Sequence, residues 1–241
     1  MILKNITFTG ADNKTDPKKL YKLSEKHPEI EWGILWYPQK MGQQRYPTKR
    51  WIKDFLKNKT DNTHTSLHIC GIDAQNFGYK VLESQIWDYI SYTDRIQLNF
   101  GKMNWNLDAV VAFLQHGKYD FRYAVNLYHA QSPGKYVIIQ ANKENRILNA
   151  CLEDESAIEF LFDESRGNGK SIVSLPEPYS LKYNGYAGGI SPDNVAAIVK
   201  QLNQKYPDFG EYWIDMETGI RTDNEFDLTK VKTVLDKIRS D

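Results

Sequence analysis

The feature that most constrains this chain is its alternation of short apolar segments with amphipathic ones. Eight runs of strand character recur along the 241 residues, and each is followed by a segment whose apolar residues have helical spacing. The repeat of roughly 30 residues predicts a single-domain (β/α)8 TIM barrel spanning residues 1–241. A doubly wound open sheet is the alternative. The first predicted strand lacks the Gly-x-Gly-x-x-Gly turn of a dinucleotide-binding sheet.

The element boundaries follow from apolar runs and capping residues. Polar residues that begin helices are expected at Asp16, Thr48, Asn106 and Asp227, and Pro192 is expected to begin the helix after the seventh strand. One helix is predicted over residues 75–92. The segments after the fourth and sixth strands are longer than a barrel unit needs, and both are predicted elaborations. The predicted strands are 6–9, 30–36, 65–70, 95–100, 135–141, 158–162, a run ending at Ala187, and 212–215.

Composition excludes several classes of function. The 31 basic residues balance the 31 acidic ones, so we expect no nucleic-acid partner and no attraction to an anionic membrane. No run approaches the ~20 apolar residues of a membrane span, and the chain start lacks the pattern of a signal peptide, which together predict a cytoplasmic protein. The two cysteines, Cys70 and Cys151, have no metal-site spacing. We expect neither a metal nor a cofactor.

Two glycine-containing turns follow the last two predicted strands. Gly188-Gly189 precedes Ser191-Pro192, and Thr218-Gly219 follows the eighth strand. Such turns let backbone amides approach a phosphate group, which barrels often bind between these two loops. A tight turn with no ligand is the plainer interpretation of either turn alone. Their paired placement favours phosphate binding.

Two aspartates, Asp163 and Asp215, directly follow apolar strand residues and are expected at the barrel mouth. A carboxyl group there can act as a general acid or bind hydroxyl groups, although a strand-end aspartate also commonly caps a helix. His68 and His129 are acid-base candidates, but a lone histidine is more often structural. The run Gly169-Lys170-Ser171 is not a Walker A loop, because Glu164 stands where that motif needs glycine.

These features resemble the phosphoribosylanthranilate isomerase family, whose members are (β/α)8 enzymes of tryptophan biosynthesis. The resemblance runs in the same order over nearly the whole chain. The most specific parts are the Ala-Gly-Gly-x-x-Pro-x-Asn-Val and Asp…Gly-x-Gly-Lys patterns. The matching segments are Thr-Gly-Ala-Asp from Thr9, Gln-Arg-Tyr-Pro from Gln44, Gln-Leu-Asn from Gln97, Leu-Phe-Asp from Leu161, Gly-Asn-Gly-Lys from Gly167, Ala-Gly-Gly-Ile-Ser-Pro-Asp-Asn-Val from Ala187, and Ile-Asp-Met-Glu-Thr-Gly from Ile214.

The resemblance implies an Amadori rearrangement of an aldose-type aminosugar phosphate. The family's general acid matches Asp163, and its substrate-binding arginine matches Arg45. The resemblance also places phosphate on the two glycine turns and matches Asp215 to the family's aspartate after the eighth strand. The remaining substrate-binding candidates are Glu217, Lys170 and His68.

The chain departs from the family at the general base. Thr9 replaces the family's cysteine, and a threonine hydroxyl does not accept a proton at neutral pH without an activating base. Asp12 and Cys70 are the candidates for a relocated base. Glu217 stands where the family prefers a small serine, and its charge opposes a phosphate unless Arg45, Lys170 or Arg221 compensates.

Two hypotheses follow. The first is an isomerase-like enzyme that acts on a phosphorylated sugar or nucleoside derivative with Asp163 as acid. The second is a non-catalytic protein that captures a phosphorylated nucleoside-like ligand. The partner is a small phosphorylated ligand in both, and the chain is expected to be a monomer or a homodimer.

Overall fold

Eight parallel strands close into a barrel in which every strand pairs with its neighbour in sequence. The computed structural model describes residues 1–77, 86–101, 103, 105–114, 121–130, 135–163, 175–179 and 182–239. The barrel prediction is confirmed, and the open-sheet alternative is wrong because the first strand also pairs with the eighth. The strands are β1 (Ile2–Thr9), β2 (Ile30–Trp36), β3 (His64–Cys70), β4 (Arg95–Asn99), β5 (Tyr136–Ala141), β6 (Ile158–Phe162), β7 (Asn184–Ala187) and β8 (Glu211–Met216).

Helices lie between the strands, and their starts follow the expected capping chemistry. Asp16 accepts a hydrogen bond from the amide of Lys18 at the start of the first helix, and Thr48 caps the second. Asn106 and Asp227 accept backbone hydrogen bonds in the same way. The helices are α1 (Pro17–Ser24), α2 (Lys49–Lys57), α3 (Ile72–Gln75), α4 (Trp87–Ile90), α5 (Leu107–Leu114), α6 (Phe121–Ala130), α7 (Arg146–Leu152), α8 (Val195–Lys205) and α9 (Leu228–Arg239).

Three predicted boundaries differ from the structure by more than one residue. The helix expected over 75–92 is described only as α3 and α4, since residues 78–85 lie outside the described part. Pro192 does not begin a helix, because Asn194 bonds the amide of Ser191 and the carbonyl of Gly189 and folds that segment into a turn before α8. Strand β1 begins at Ile2, four residues before the predicted start, because its first residues pair with β8.

The predicted elaboration after β4 is confirmed, whereas most of the one predicted after β6 lies outside the described residues. Two helices, α5 and α6, stand between β4 and β5. Residues 164–174, which include the Gly-Asn-Gly-Lys loop, lie outside the described residues. A short hairpin of β9 (Arg221–Thr222) and β10 (Glu225–Phe226) follows β8. Among the described residues, no helix has both the length and the apolar character to cross a bilayer.

The strand register arranges the inward-facing side chains in layers drawn from alternate strands. The layer nearest the amino ends of the strands contains Glu31, Arg95, Glu159 and Trp213. Toward the carboxyl ends, each further layer mixes polar side chains with apolar residues or glycine. The barrel interior is therefore charged at its floor and polar at its mouth. The layers above the floor are Thr7, Ser66, Ile138 and Gly185; then Gly33, Gln97, Leu161 and Asp215; then Thr9, His68, Gln140 and Ala187; then Leu35, Asn99, Asp163 and Glu217.

Candidate functional site

A cavity of about 550 Å³ opens at the carboxyl ends of the strands, the end where barrel active sites lie. Thr9 and Asp12 are not in its wall. A larger space at the amino ends has none of the residues predicted for phosphate binding, so the mouth cavity is the better candidate. The predicted residues that line it are Arg45, His68, Cys70, Asp163, Gly188, Gly189, Asp215, Glu217, Thr218 and Gly219.

The two glycine turns lie against each other at one side of the cavity. Gly188 and Gly189 have φ angles of 106° and 63°, a region that disfavours residues with a Cβ. A Cβ on Gly219 would lie 2.0 Å from the carbonyl oxygen of Ile190, so only glycine permits this close approach. Within the described chain, the amides of these three glycines donate no hydrogen bond. Such unpaired amides in successive turns favour an anion.

Asp215 and Thr9 form a buried hydrogen-bonded pair beneath the cavity. The Thr9 hydroxyl donates to Oδ1 of Asp215 at 2.8 Å, and Thr9 is only 1% exposed. Burial raises the pKa of Asp215 to about 8; the Thr9 hydrogen bond lowers it in part, while the charges of Glu217 and Asp163 raise it. Asp215 is therefore largely a neutral acid at pH 7, and Thr9 acts as its hydrogen-bond donor.

Asp163 and Glu217 occupy the uppermost inward layer, directly after β6 and β8. Gln140 donates to Oδ2 of Asp163 at 3.4 Å. The guanidinium of Arg45 donates to Glu217 at 2.7 Å and also reaches Thr218. Burial raises the pKa of Glu217, and Arg45 opposes that effect. One arginine thus connects Glu217 with the Thr218-Gly219 turn.

Asp12 positions Arg45 and does not enter the cavity. Its Oδ2 accepts the backbone amide of Arg45 at 2.8 Å, which holds Arg45 at a φ of 74°. The same carboxylate pairs with Arg221 at 3.4 Å, and Arg221 also donates to the carbonyl of Gly10. The structure therefore places Asp12 in a network that connects the loops after β1, β2 and β8.

Cys70 and His68 face the cavity in their uncharged forms. Burial raises the pKa of the Cys70 thiol to about 12, and the amide of Asn99 donates to its sulfur at 3.6 Å. Burial lowers the pKa of His68 to about 4, although Glu31 opposes the shift. His68 contacts the Ser66 hydroxyl at 3.0 Å through Nε2. A neutral thiol is a poor base.

Other predicted residues lie away from this arrangement or outside the described chain. Lys170 lies outside the described residues. His129 bonds the carbonyl of Lys135 through Nδ1, a structural contact remote from the mouth. Cys70 and Cys151 are free thiols. Among the residues that the structure describes, no group of three ligating side chains is placed to bind a metal.

Sequence reasoning missed an aromatic wall of the cavity. Tyr37 and Tyr46, from the loop after β2, lie with ring centroids 5.8 Å apart. The ammonium of Lys40 lies 4.9 Å from the first ring and 5.2 Å from the second. Such planar faces suit a ring of a ligand. Their signal in the sequence was the length of this loop and its tyrosines, but aromatic residues are too frequent in this chain to single these out.

The eight parallel strands and the cavity at their carboxyl ends define the protein as a (β/α)8 barrel. No protein-family model matches the chain, and no curated protein matches it. The fold is similar over the whole chain to phosphoribosylanthranilate isomerase from Thermotoga maritima, with 14% identity, a TM-score of 0.60 and 100% of each chain covered. TrpF from Jonesia denitrificans gives 16% identity and a TM-score of 0.55, covering 98% of this chain and 97% of that one.

The likeness establishes the fold and nothing finer. A citrate lyase from Burkholderia xenovorans also matches, with 10% identity and a TM-score of 0.55, covering 99% of this chain and 78% of that one. The sequence resemblance to phosphoribosylanthranilate isomerases is thus confirmed as a resemblance in fold. Function has to be argued from the site.

Proposed function

We propose that this protein binds a phosphorylated sugar or nucleoside-type ligand in the mouth cavity, with its phosphate on the two glycine turns. The observation that carries the proposal is the contact of Gly219 with Ile190, which brings both turns together with unpaired amides. Arg45 beside Thr218 adds positive charge. A phosphorylated ligand is consistent with the likeness in fold, since one solved phosphoribosylanthranilate isomerase is in complex with a reduced 1-(o-carboxyphenylamino)-1-deoxyribulose 5-phosphate.

The first candidate activity is an isomerase-like reaction with Asp163 as general acid. Asp163 is 5% exposed and lies in the same layer as Glu217, above the Asp215 and Thr9 pair. In an aldose-to-ketose rearrangement, an acid protonates the ring oxygen as the ring opens, and a base removes the proton from C2. The carboxyl groups of Asp163 and Asp215 supply an acid and a proton acceptor in one cavity. Asp215 would accept the C2 proton only in its ionised fraction, because its pKa is about 8.

The second candidate is a binding protein that captures the ligand without changing it. Thr9 uses its hydroxyl proton in the bond to Asp215, and burial keeps the Cys70 thiol protonated by raising its pKa to about 12. Neither side chain is thus prepared to act as the base, while the phosphate-binding turns are retained. This combination favours sequestration over catalysis.

The copurifying small molecule distinguishes the candidates most directly. The purified protein is analysed by native mass spectrometry, and the released ligand is returned to fresh protein. A phosphorylated ligand recovered unchanged supports the binding protein, and a recovered isomer supports the enzyme. The Asp163→Asn variant should abolish turnover and retain binding. A copurifying ligand without a phosphoryl group, combined with no saturable binding of ribose 5-phosphate, contradicts both candidates.

Thr9→Cys tests whether the rest of the site suits the Amadori reaction. The thiol would occupy the position of the family's base, and Thr7→Cys, two layers nearer the floor, is the matched control. Gain of phosphoribosylanthranilate isomerase activity in Thr9→Cys alone would indicate that the remaining groups are competent. Equal inactivity of both variants, with intact phosphate binding, would point to a different ligand.

A further inference from the structure

A second cavity, of about 1250 Å³, opens at the opposite end of the barrel, beneath the amino ends of the strands. Its inner wall is the floor layer of the barrel interior, with Glu31, Arg95 and Glu159. The three side chains are each nine-tenths or more buried, at 4%, 6% and 5% exposure. Nothing in the proposed function uses this space. Buried charges beside a cavity have to be compensated from within it or by each other.

The floor layer contains one cation for two carboxylates. Arg95 donates through Nε and Nη2 to both oxygens of Glu31, each at 2.8 Å, and Thr7 donates a further bond to Glu31. The third guanidinium bond goes to Oε2 of Glu159 at 2.7 Å. Arg95 has no positive charge to spare after these bonds, so the trio has an excess of one negative charge when both glutamates are ionised.

Glu159 is the carboxylate that this arrangement leaves incompletely satisfied. Its Oε1 accepts no hydrogen bond in the described chain, whereas both oxygens of Glu31 are used. Burial raises the pKa of Glu159, Arg95 lowers it in part, and Glu31 raises it further. The same surroundings leave the pKa of Glu31 lowered, because Arg95 outweighs the effect of its burial. The free oxygen of Glu159 lies in the cavity wall and is suited to a hydrogen-bond donor that has a positive charge.

The rest of the cavity wall combines aromatic rings with carboxylates at the rim. Tyr136, Tyr179, Tyr183 and Phe209 line it, so methylene groups have apolar surfaces to contact. The Arg95 guanidinium is itself enclosed by Tyr183 and Trp213, with its carbon 4.3 Å from the Trp213 ring centre. The wall thus provides an acceptor at depth and apolar sides above it.

We propose that this cavity binds a small alkyl diamine or related organic ammonium ion, whose ammonium group donates to Oε1 of Glu159. A metal ion does not fit, because no group of three ligating side chains is present among the described residues. An anion does not fit, because the buried Arg95 is already bonded to both glutamates. An alkylammonium ion supplies both the missing positive charge and the apolar chain.

Lys182, one of the cationic residues in the cavity wall, is a competitor from the chain itself. Its ammonium group donates to the carbonyl of Glu155, and burial lowers its pKa, although nearby carboxylates oppose the shift. The Lys182 charge also lowers the pKa of Glu159, which indicates that the two groups interact. A diamine would therefore bind against a partial positive charge, and removal of that charge should strengthen its binding.

The test is titration calorimetry with 1,4-diaminobutane at constant ionic strength. We expect saturable binding by the full chain and no binding of butane-1,4-diol, which has the same carbon chain without the charges. Glu159→Gln should weaken diamine binding about tenfold or more, because it removes a buried charged acceptor. Lys182→Met should strengthen it.

The matched control is Glu225→Gln, which makes the same change in charge at an exposed residue of the mouth hairpin. It should bind the diamine as the natural chain does. Glu159→Gln should remain folded by circular dichroism, since the bonds between Glu31 and Arg95 persist. Equal affinity in Glu159→Gln and the natural chain, equal binding of the diol, or no saturable binding at all would each overturn the proposal.

Discussion

Each end of this barrel buries more carboxylates than cations, and the two ends accommodate the excess negative charge differently. At the floor, Arg95 lies inside the barrel and bonds Glu31 and Glu159 directly. At the mouth, Arg45 approaches from a loop, and Asp215 instead retains its proton, since burial raises its pKa to about 8. The floor is held by fixed charges, whereas the mouth contains an acid that can exchange a proton near neutral pH.

The two ends also differ in backbone conformation. All described residues with positive φ angles lie in loops that follow strands, and therefore at the mouth. They include the non-glycine residues Arg45, Asp223 and Asn224. The Arg45 guanidinium donates to Oδ1 of Asn224 at 3.1 Å, which connects two of these loops. Such backbone conformations cost stability, and they persist where the surrounding contacts fix them. The strained backbone of the described residues is therefore concentrated at the mouth.

Arg95→Met should produce the largest effect, because it leaves two buried carboxylates without their cation. We expect a loss of about 3–5 kcal/mol in the free energy of unfolding, measured by urea denaturation. Arg45→Met at the mouth is the control; its ion pair is partly exposed and should contribute about 1 kcal/mol or less. Recovery of stability in the triple variant Glu31→Gln, Arg95→Met, Glu159→Gln would confirm that unpaired charge is the cause. Equal losses of unfolding free energy in Arg95→Met and Arg45→Met would contradict this difference between the two ends.

Asp215→Asn should change how stability depends on pH. The carboxyl has a pKa of about 8 in the folded chain and about 4 when unfolded. Between those values the unfolded state releases a proton that the folded state retains, so the natural chain loses up to about 1.4 kcal/mol per pH unit as pH rises. The variant should lack this loss. Its stability relative to that of the natural chain should therefore be higher at pH 8 than at pH 4.

Asp227→Asn should change the pH dependence of stability in the opposite direction. The hydrogen bond from Thr222 and backbone amides at the start of α9 lower the pKa of Asp227, although burial opposes this effect slightly. Its contribution is present at neutral pH and is lost as pH falls through the folded pKa. Parallel pH profiles for Asp215→Asn and Asp227→Asn would contradict the assignment of a neutral Asp215.

The barrel was predictable from sequence because its pattern, a short apolar run followed by an amphipathic segment, is repeated eight times. Strands β2 and β6 match their predicted bounds, since both are apolar runs with clear ends. Strand β1 was predicted too short because Lys4 and Asn5 break its apolar pattern, and only pairing with β8 extends it. The helix start at Val195 depends on a side-chain turn around Asn194, a contact that periodicity does not encode.

The position of the strand-end carboxylates was predictable from sequence, but their protonation was not. Strand-end position placed Asp163, Asp215 and Glu217 at the mouth, since consecutive strands end at one face of a barrel. The bond from Thr9 to Asp215 joins residues that are 206 positions apart, and the inward register of both side chains creates it. The Asp12 pairing with Arg221 arises in the same way. Burial in three dimensions sets these pKa values, and sequence spacing does not report it.

Gly33→Ala tests whether the mouth depends on close packing of its interior layers. A Cβ at Gly33 would lie 2.1 Å from the Thr9 hydroxyl oxygen and 3.0 Å from the His68 ring. We expect destabilisation by about 1–3 kcal/mol. As Thr9 is displaced and its hydrogen bond to Asp215 weakens, the pKa of Asp215 should rise further. Gly210→Ala at the floor is the control, because its Cβ would meet no atom within 4 Å. Equal melting temperatures for both variants would show that the layer containing Thr9 can accommodate an added methyl group.

Glu217→Gln should have the smallest effect and bears on the ligand directly. The carboxylate holds the Arg45 guanidinium at 2.7 Å beside the turn formed by Thr218 and Gly219. Its removal takes away a negative charge and frees one guanidinium N–H for an anion, so affinity for ribose 5-phosphate should rise by a factor of about three to ten. Titration calorimetry measures the change, with Glu225→Gln as the control for net charge. A fall in affinity would instead mean that Glu217 is needed to orient Arg45, and the mouth would then resemble the floor in relying on a fixed ion pair.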